Sequence, residues 1–180
     1  GHGSDSSGQN MNYGMWMSLT EQLEGGFESS SGSNRYVTSP NTYNNGQWHH
    51  GVVTFDGSIL RLYVDGVQVS TLSTSSIPET VGNHPLKIGA NSRIVDNLFT
   101  GNIDEVGVWN RALTTSEITN LMNNGVFATS GLVYSNSFGS SSSTFTSSEL
   151  TTTTTLAQDK LSNNQNVDLK NFNLLSNLDY

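Results

Sequence analysis

The chain has 180 residues, 7 basic and 15 acidic side chains, a formal charge of −8 and no cysteine. That is the length of one domain, or of one domain with an appendage. The charge offers phosphate backbones no basic stripe to follow, which argues against nucleic acid as a partner. Without cysteine there is no disulfide framework, thiol nucleophile or Cys-zinc centre, and no apolar run approaches the roughly 18 residues of a membrane span, so membrane insertion is not expected.

Charged residues make up 12% of the chain, while Gly, Ser, Thr and Asn are abundant, the usage of a turn-rich β-protein. In chain order, QNMNYGMWM (9–17), QLEGGFES (22–29) and NRYVTS (34–39) read as strands separated by Ser/Gly/Asn turns. Strands are expected at about 47–55 and 58–65, because Asp56-Gly57 between VVTF and SILRLYV supplies the positive φ of a tight hairpin. Asp65-Gly66 repeats the signal before VQVSTL (67–72), which makes a three-strand meander. LKIGA (86–90) and FTGNIDEVGVWN (99–110) are further strand-like runs.

One helix is marked, at about 114–124. Thr114-Thr115-Ser116-Glu117 is a capping box, in which the threonine hydroxyl and the glutamate carboxylate satisfy each other's backbone amides. Leu113 and Ile118 stand at the staple positions. Ile118, Leu121 and Met122 form one apolar stripe, and Asn124-Gly125 offers a left-handed ending. Beyond Phe127 the chain turns rich in Ser and Thr, with five consecutive threonines from Thr151 to Thr155. Such a segment serves as a linker or, since threonine suits strands, as edge strands.

In order along the chain, QWHHGVVTFDGSILRLYVDGVQV, PLKIGAN and FTGNIDEVGVWNRALTTSEITNL together resemble the second half of a laminin G-like, concanavalin A-like jelly-roll domain. The resemblance covers about residues 9–126 and is strongest from 47 to 121. It implies an all-β, antiparallel jelly-roll β-sandwich with one short α-helix. Residues 1–126 would form that domain, lacking its usual N-terminal strands. Residues 127–180 would be a tail, a linker, or edge strands completing the sandwich or a partner. A sandwich without its first strands exposes apolar face and unpaired edges, so self-association is an expected consequence.

The pair His49-His50 invites a metal reading, but strand alternation separates it. Trp48, His50, Val52 and Thr54 share one face, and His49, Gly51, Val53 and Phe55 the other. The two imidazoles therefore point apart, which leaves His50 a structural residue beside a core Trp48 and His49 at a face or rim. By the same alternation Asp104 shares a face with Val106 and Val108. The resemblance implies a structural calcium ion there, for which Asp96, Asn97 and Asp5 are the nearest further oxygen donors by chemistry; backbone hydrogen bonding at a strand end is the alternative.

Glu105 and Trp109 share the opposite face with Ile103. With Tyr13, Tyr36, Arg61 and Tyr63 they are candidates for a glycan-binding surface, where rings stack on sugars and polar groups bond hydroxyls. The alternative is that they are ordinary outward strand residues. A retaining glycosidase needs two carboxylates about 5 Å apart. Asp104 and Glu105 face apart, and Glu24 and Glu28 are separated by two glycines without a middle aspartate, so no enzymatic activity is expected. The expected function is that of a non-catalytic recognition or adhesion module of a larger extracellular or cell-surface protein, with glycans first and proteins next as ligands. The contrasting reading is a structural assembly or spacer domain that joins subunits through open sheet edges.

Overall fold

The computed structural model describes residues 11–80, 86–90, 98–136 and the backbone of a strand at 172–179. Strands β1 (Gly14–Met17), β2 (Gln22–Glu28) and β3 (Asn34–Thr42) form a three-stranded sheet in that order. The larger sheet contains β4 (His49–Phe55), β5 (Ile59–Val64), β6 (Val67–Ser73), β7 (Asn102–Trp109), β8 (Leu132–Asn136) and β9 (Phe172–Asp179). Its order is β6-β5-β4-β9-β7-β8, and every pairing in both sheets is antiparallel. Among the described residues a single helix, α1 (Thr115–Asn124), follows β7. This is the antiparallel sandwich with one short helix that the sequence implies.

Alternation along each strand builds two apolar layers. Tyr13, Leu23, Phe27, Val37, Val53, Phe55, Leu60, Leu62, Val64 and Val108 meet between the sheets, with Leu86 joining them from outside the strands. Val52, Tyr63 and Trp109, from the other face of the larger sheet, pack with Leu113, Ile118 and Leu121. The helix thus closes the outer face of the larger sheet. No helix among the described residues is long and apolar enough to cross a membrane.

The hairpins follow their glycines, with one shift of frame. Asp65 and Gly66 both have positive φ, 51° and 77°, as a two-residue type I′ loop between Val64 and Val67 requires. In the preceding hairpin only Gly57 has positive φ, 93°. The loop there is Gly57-Ser58, one residue later than Asp56-Gly57, because the Asp56 Oδ1 accepts from the backbone amides of Ser58 and Ile59 and closes the turn itself. LKIGA forms no strand; Leu86 is buried while residues 88–90 bend.

Helix α1 is capped as the sequence predicts. Thr114 Oγ1 accepts from the Glu117 amide, Glu117 Oε2 accepts from the Thr114 amide, and Gly125 ends the helix at φ 62°. Arg111 then grips Glu117 bidentately at 2.9 and 2.6 Å. That hydrogen bonding, led by Arg111 and helped by Thr114, holds the Glu117 carboxyl down at about 2.

A bulge in β7 corrects the expected parity of its acidic residues. Asp104 pairs with Asn177 and Gly107 with Leu175, so β7 carries one residue more than β9 over that interval, and Glu105 has φ 55°. The two faces exchange across it. Val108 enters the inter-sheet core while Trp109 goes under the helix. Asp104 and His50 pair with the same residue of β9, Asn177, so Asp104 lies on the helix side with His50 instead of on the side of Val108.

Candidate functional site

The residues expected to form one open surface are dispersed through the sandwich. Tyr13 is buried between the sheets at 2% exposure. Tyr63 and Trp109 are buried under α1, where the Trp109 Nε1 donates to the Ala128 carbonyl at 2.7 Å and its ring stacks on Phe127. These three are core residues: alternation groups residues on a face but does not say which face another layer covers. Arg61 is tied to Asp56 at 2.6 Å across its hairpin. The Glu105 carboxylate, at the bulge, lies beside the helix-ending Gly125. Only Tyr36 of the six stands substantially in solvent, at 49% exposure.

The histidines do point apart, although their surroundings differ from expectation. His49 makes ring contacts to Asp65 Oδ2 at 2.9 Å and Asn45 Oδ1 at 3.0 Å, with the Tyr43 ring at its edge. His50 is buried on the helix side, and burial pushes its imidazole down to about 4 against the opposing pull of Asp65. Trp48 is no core residue; it precedes β4 and is 53% exposed.

Of the residues expected at a calcium site, Asp104 alone is among the described residues. Asp104 Oδ1 accepts from the backbone amide of Glu105 at 2.8 Å, which is the strand-end hydrogen bonding given as the alternative. Asp96, Asn97 and Asp5 lie outside the described residues. Among the described residues no three His, Cys, Asp or Glu side chains gather as metal ligands, and a calcium ion takes six to eight oxygens.

The smaller sheet presents a different constellation. Leu23, Phe27, Met15 and Val37 point into the core, so Gly14 and Trp16 of β1, Glu24 and Gly26 of β2, and Tyr36 and Thr38 of β3 face outward. Trp16, Glu24 and Thr38 are register partners in one row across the three strands. Trp16 Nε1 donates to Glu24 Oε2 at 2.7 Å, and Thr38 Oγ1 donates to Glu24 Oε1 at 3.0 Å. The carboxylate is therefore fixed in orientation between an aromatic ring and a hydroxyl.

The adjoining row is Gly14, Gly26 and Tyr36. A Cβ at Gly26 would collide with the Arg35 carbonyl and the Tyr36 Cα, so the close approach of β2 and β3 demands glycine there. Gly26 leaves a shallow floor beside Tyr36, while the Gly14 end is covered by Met11, whose Sδ lies 2.9 Å from where a Cβ would stand. The Trp16 and Tyr36 rings stand 6.3 Å apart at 55°, with the Glu24 carboxylate in the row beside that floor. Farther along, Asn12 and Glu28 are buried. Among the described residues, no helix or strand covers this face.

Trp16, Glu24 and Thr38 were not among the residues expected at a site. Their signal lay in the pairing of β1, β2 and β3, which sequence spacing does not specify. The glycine pair Gly25-Gly26 inside a strand was the one local cue to a close backbone approach.

The family model of the Concanavalin A-like lectin/glucanases superfamily matches residues 2–119. Pappalysin-1 of Mus musculus is 31% identical over 91 residues, which is 48% of this chain but 5% of that protein. The chain thus spans a small fraction of the length of that relative. No solved structure is similar enough to count as a match.

Proposed function

The chain belongs to the concanavalin A-like lectin/glucanase superfamily, and from that premise we propose that it is a non-catalytic recognition module, extracellular or at the cell surface, that binds glycans on the outer face of its three-stranded sheet. The observation that carries the reading is the Trp16-Tyr36 pair flanking a carboxylate held by Trp16 and Thr38. Aromatic faces stack on the C–H faces of sugar rings. A fixed acceptor beside them bonds ring hydroxyls. Each oxygen of Glu24 receives one bond from within the sheet, and a carboxylate has about four acceptor sites, so two acceptors are free to orient a ligand.

The same carboxylate sets the ligand class. A negative group at the centre of the face, on a chain of charge −8, repels sulfates and uronates and favours neutral, hydroxyl-rich sugars. Binding without turnover is part of the proposal: Glu24 and Glu28 share β2 with no aspartate between them, and each Glu24 oxygen is already bonded by a side chain of the sheet.

A glycan array followed by calorimetry on the best oligosaccharide tests the proposal. Trp16→Ala and Tyr36→Ala should each weaken binding by about 2- to 10-fold, the span of roughly 0.5–1.5 kcal/mol for one aromatic contact; the exposed Tyr36→Ala should leave thermal unfolding nearly unchanged, whereas Trp16→Ala also loses the bond to Glu24. Binding that survives both substitutions would remove this face from consideration. Capture of a protein ligand with no glycan signal would favour the protein-binding reading.

A further inference from the structure

Two Asn-Gly pairs occur in the chain, Asn45-Gly46 and Asn124-Gly125, and both asparagines are exposed. In such a pair the backbone amide of the glycine can attack the side-chain amide before it, because no Cβ obstructs the approach. The fold treats the two pairs differently. The Gly125 amide is committed to the end of α1, donating to the Leu121 carbonyl at 2.8 Å, and Asn124 Nδ2 donates to Asn120 Oδ1 at 2.7 Å. The Gly46 amide makes no hydrogen bond among the described residues.

Around Asn45 the donors converge on its side-chain carbonyl. The Gln47 amide donates to Asn45 Oδ1 at 3.0 Å, which identifies that atom as the oxygen and folds the side chain back over the Gly46 peptide. His49 Nε2 meets the same oxygen at 3.0 Å, while His49 Nδ1 meets Asp65 Oδ2 at 2.9 Å. Both facing atoms are acceptors. For both contacts to be hydrogen bonds each ring nitrogen must donate, and that state is the imidazolium. Asp65 is itself held by the His50 backbone amide on Oδ1, and the Tyr43 ring packs against the imidazole. The cation is thus fixed against the Asn45 carbonyl.

We propose that Asn45 is a deamidation site, converted by attack of the Gly46 amide while His49 stabilises the reacting carbonyl. The Gly46 nitrogen gives its proton to solvent base and forms a bond to Asn45 Cγ. Negative charge then develops on Oδ1, where the His49 Nε2–H and the Gln47 amide already point, as the donors of an oxyanion hole do. The Cγ–Nδ2 bond breaks, Nδ2 takes up a proton and leaves as ammonia, and a succinimide remains. Water opens that ring at either carbonyl, giving aspartate or isoaspartate. Water is consumed and ammonia released, with no change of oxidation state. The product adds a negative charge beside His49, next in sequence to the exposed Trp48, on a chain of formal charge −8.

The chain is incubated in warm neutral buffer, folded and in urea, and the peptides carrying Asn45 and Asn124 are followed by chromatography and mass spectrometry, which separate asparagine, aspartate and isoaspartate. In urea the two pairs should convert at similar rates. In the folded chain Asn45 should convert while Asn124 is retained. His49→Ala should slow folded-state conversion at Asn45 by about 2- to 10-fold, the effect of one hydrogen bond lost at the reacting oxygen, and leave the rate in urea unchanged. His49→Gln keeps an N–H donor near the Nε2 position and should recover part of the rate, a rescue that loosening of the loop would not give. Folded-state conversion at Asn45 no faster than at Asn124, or equal rates in the parent chain and His49→Ala, would overturn the proposal.

Discussion

The indole of Trp16 and the carboxylate of Glu24, register partners on β1 and β2, are joined by a 2.7 Å hydrogen bond on the outer face of the smaller sheet. Because Thr38 reaches the other oxygen, Glu24 sets the orientation of an aromatic ring on one side and a hydroxyl on the other. Glu24→Ala is expected to lower unfolding free energy by about 1 kcal/mol, below the usual range for a bond to a charged acceptor because water reaches this half-buried group. Its effect on ligand binding should be larger than its effect on stability, since the indole loses its fixed orientation. Near-ultraviolet circular dichroism of the tryptophan region and calorimetric titration, run beside urea unfolding, measure the three effects.

The cap of α1 predicts an acid limb of its own. Glu117 lies at about 2, against a usual 4.5, because Arg111 and Thr114 bond its ionised form. The unfolded chain takes up this proton first, so the stabilisation is complete above about pH 4.5 and is lost as pH falls towards 2. Glu117→Gln should abolish that limb in urea midpoints measured against pH. Thr114→Ala should cost about 0.5–2 kcal/mol at neutral pH through the lost cap. A limb unchanged by Glu117→Gln would assign the acid loss to other carboxylates.

These two cases mark how far the sequence reaches. The capping box and the Asp65-Gly66 turn are local devices, specified by residues within four positions of one another, and the fold follows them. The Glu105 bulge is set by pairing with a strand some seventy residues away, and it inverts the alternation that assigned Asp104 to the side of Val108. Burial of Tyr63 and Trp109 depends on α1 lying over their face, which strand periodicity cannot express. The row Trp16-Glu24-Thr38 arises from register between strands whose turns carry no pairing code. Tyr36 was legible as an outward aromatic residue; the partners that make its face a candidate site were not.

Gly26 tests whether that face depends on the close approach of its strands. A methyl group there would strike the Arg35 carbonyl and the Tyr36 backbone, so Gly26→Ala must push β3 away from β2. The expected destabilisation is about 1–3 kcal/mol, the range for overpacked sites. Since Tyr36 would move with its strand, ligand binding should fall by more than in Tyr36→Phe, which keeps the ring in place. Equal binding in Gly26→Ala and the parent chain would show that the glycine serves the sheet alone.

His50 gives the last prediction, at a different pH. It is buried at 6% exposure, and neither ring nitrogen has a hydrogen-bond partner among the described residues. Desolvation therefore favours the neutral ring and pushes it down to about 4 from a usual 6.5, with the nearby Asp65 opposing the shift. In this window the unfolded chain binds the extra proton. The neutral ring's contribution is thus intact above about pH 6.5, falls as pH drops towards 4, and changes no further below that. This limb lies above the Glu117 limb and overlaps it only between about pH 4 and 4.5. His50→Leu replaces two buried unpaired nitrogens with apolar surface of similar size, a change that ranges from neutral to stabilising. It should maintain or raise the urea midpoint at neutral pH and flatten the limb between pH 6.5 and 4. The Glu117 limb should be untouched. A His50→Leu chain that is markedly less stable at neutral pH, or that retains the upper limb, would show that the imidazole is held by interactions that neutral burial does not account for.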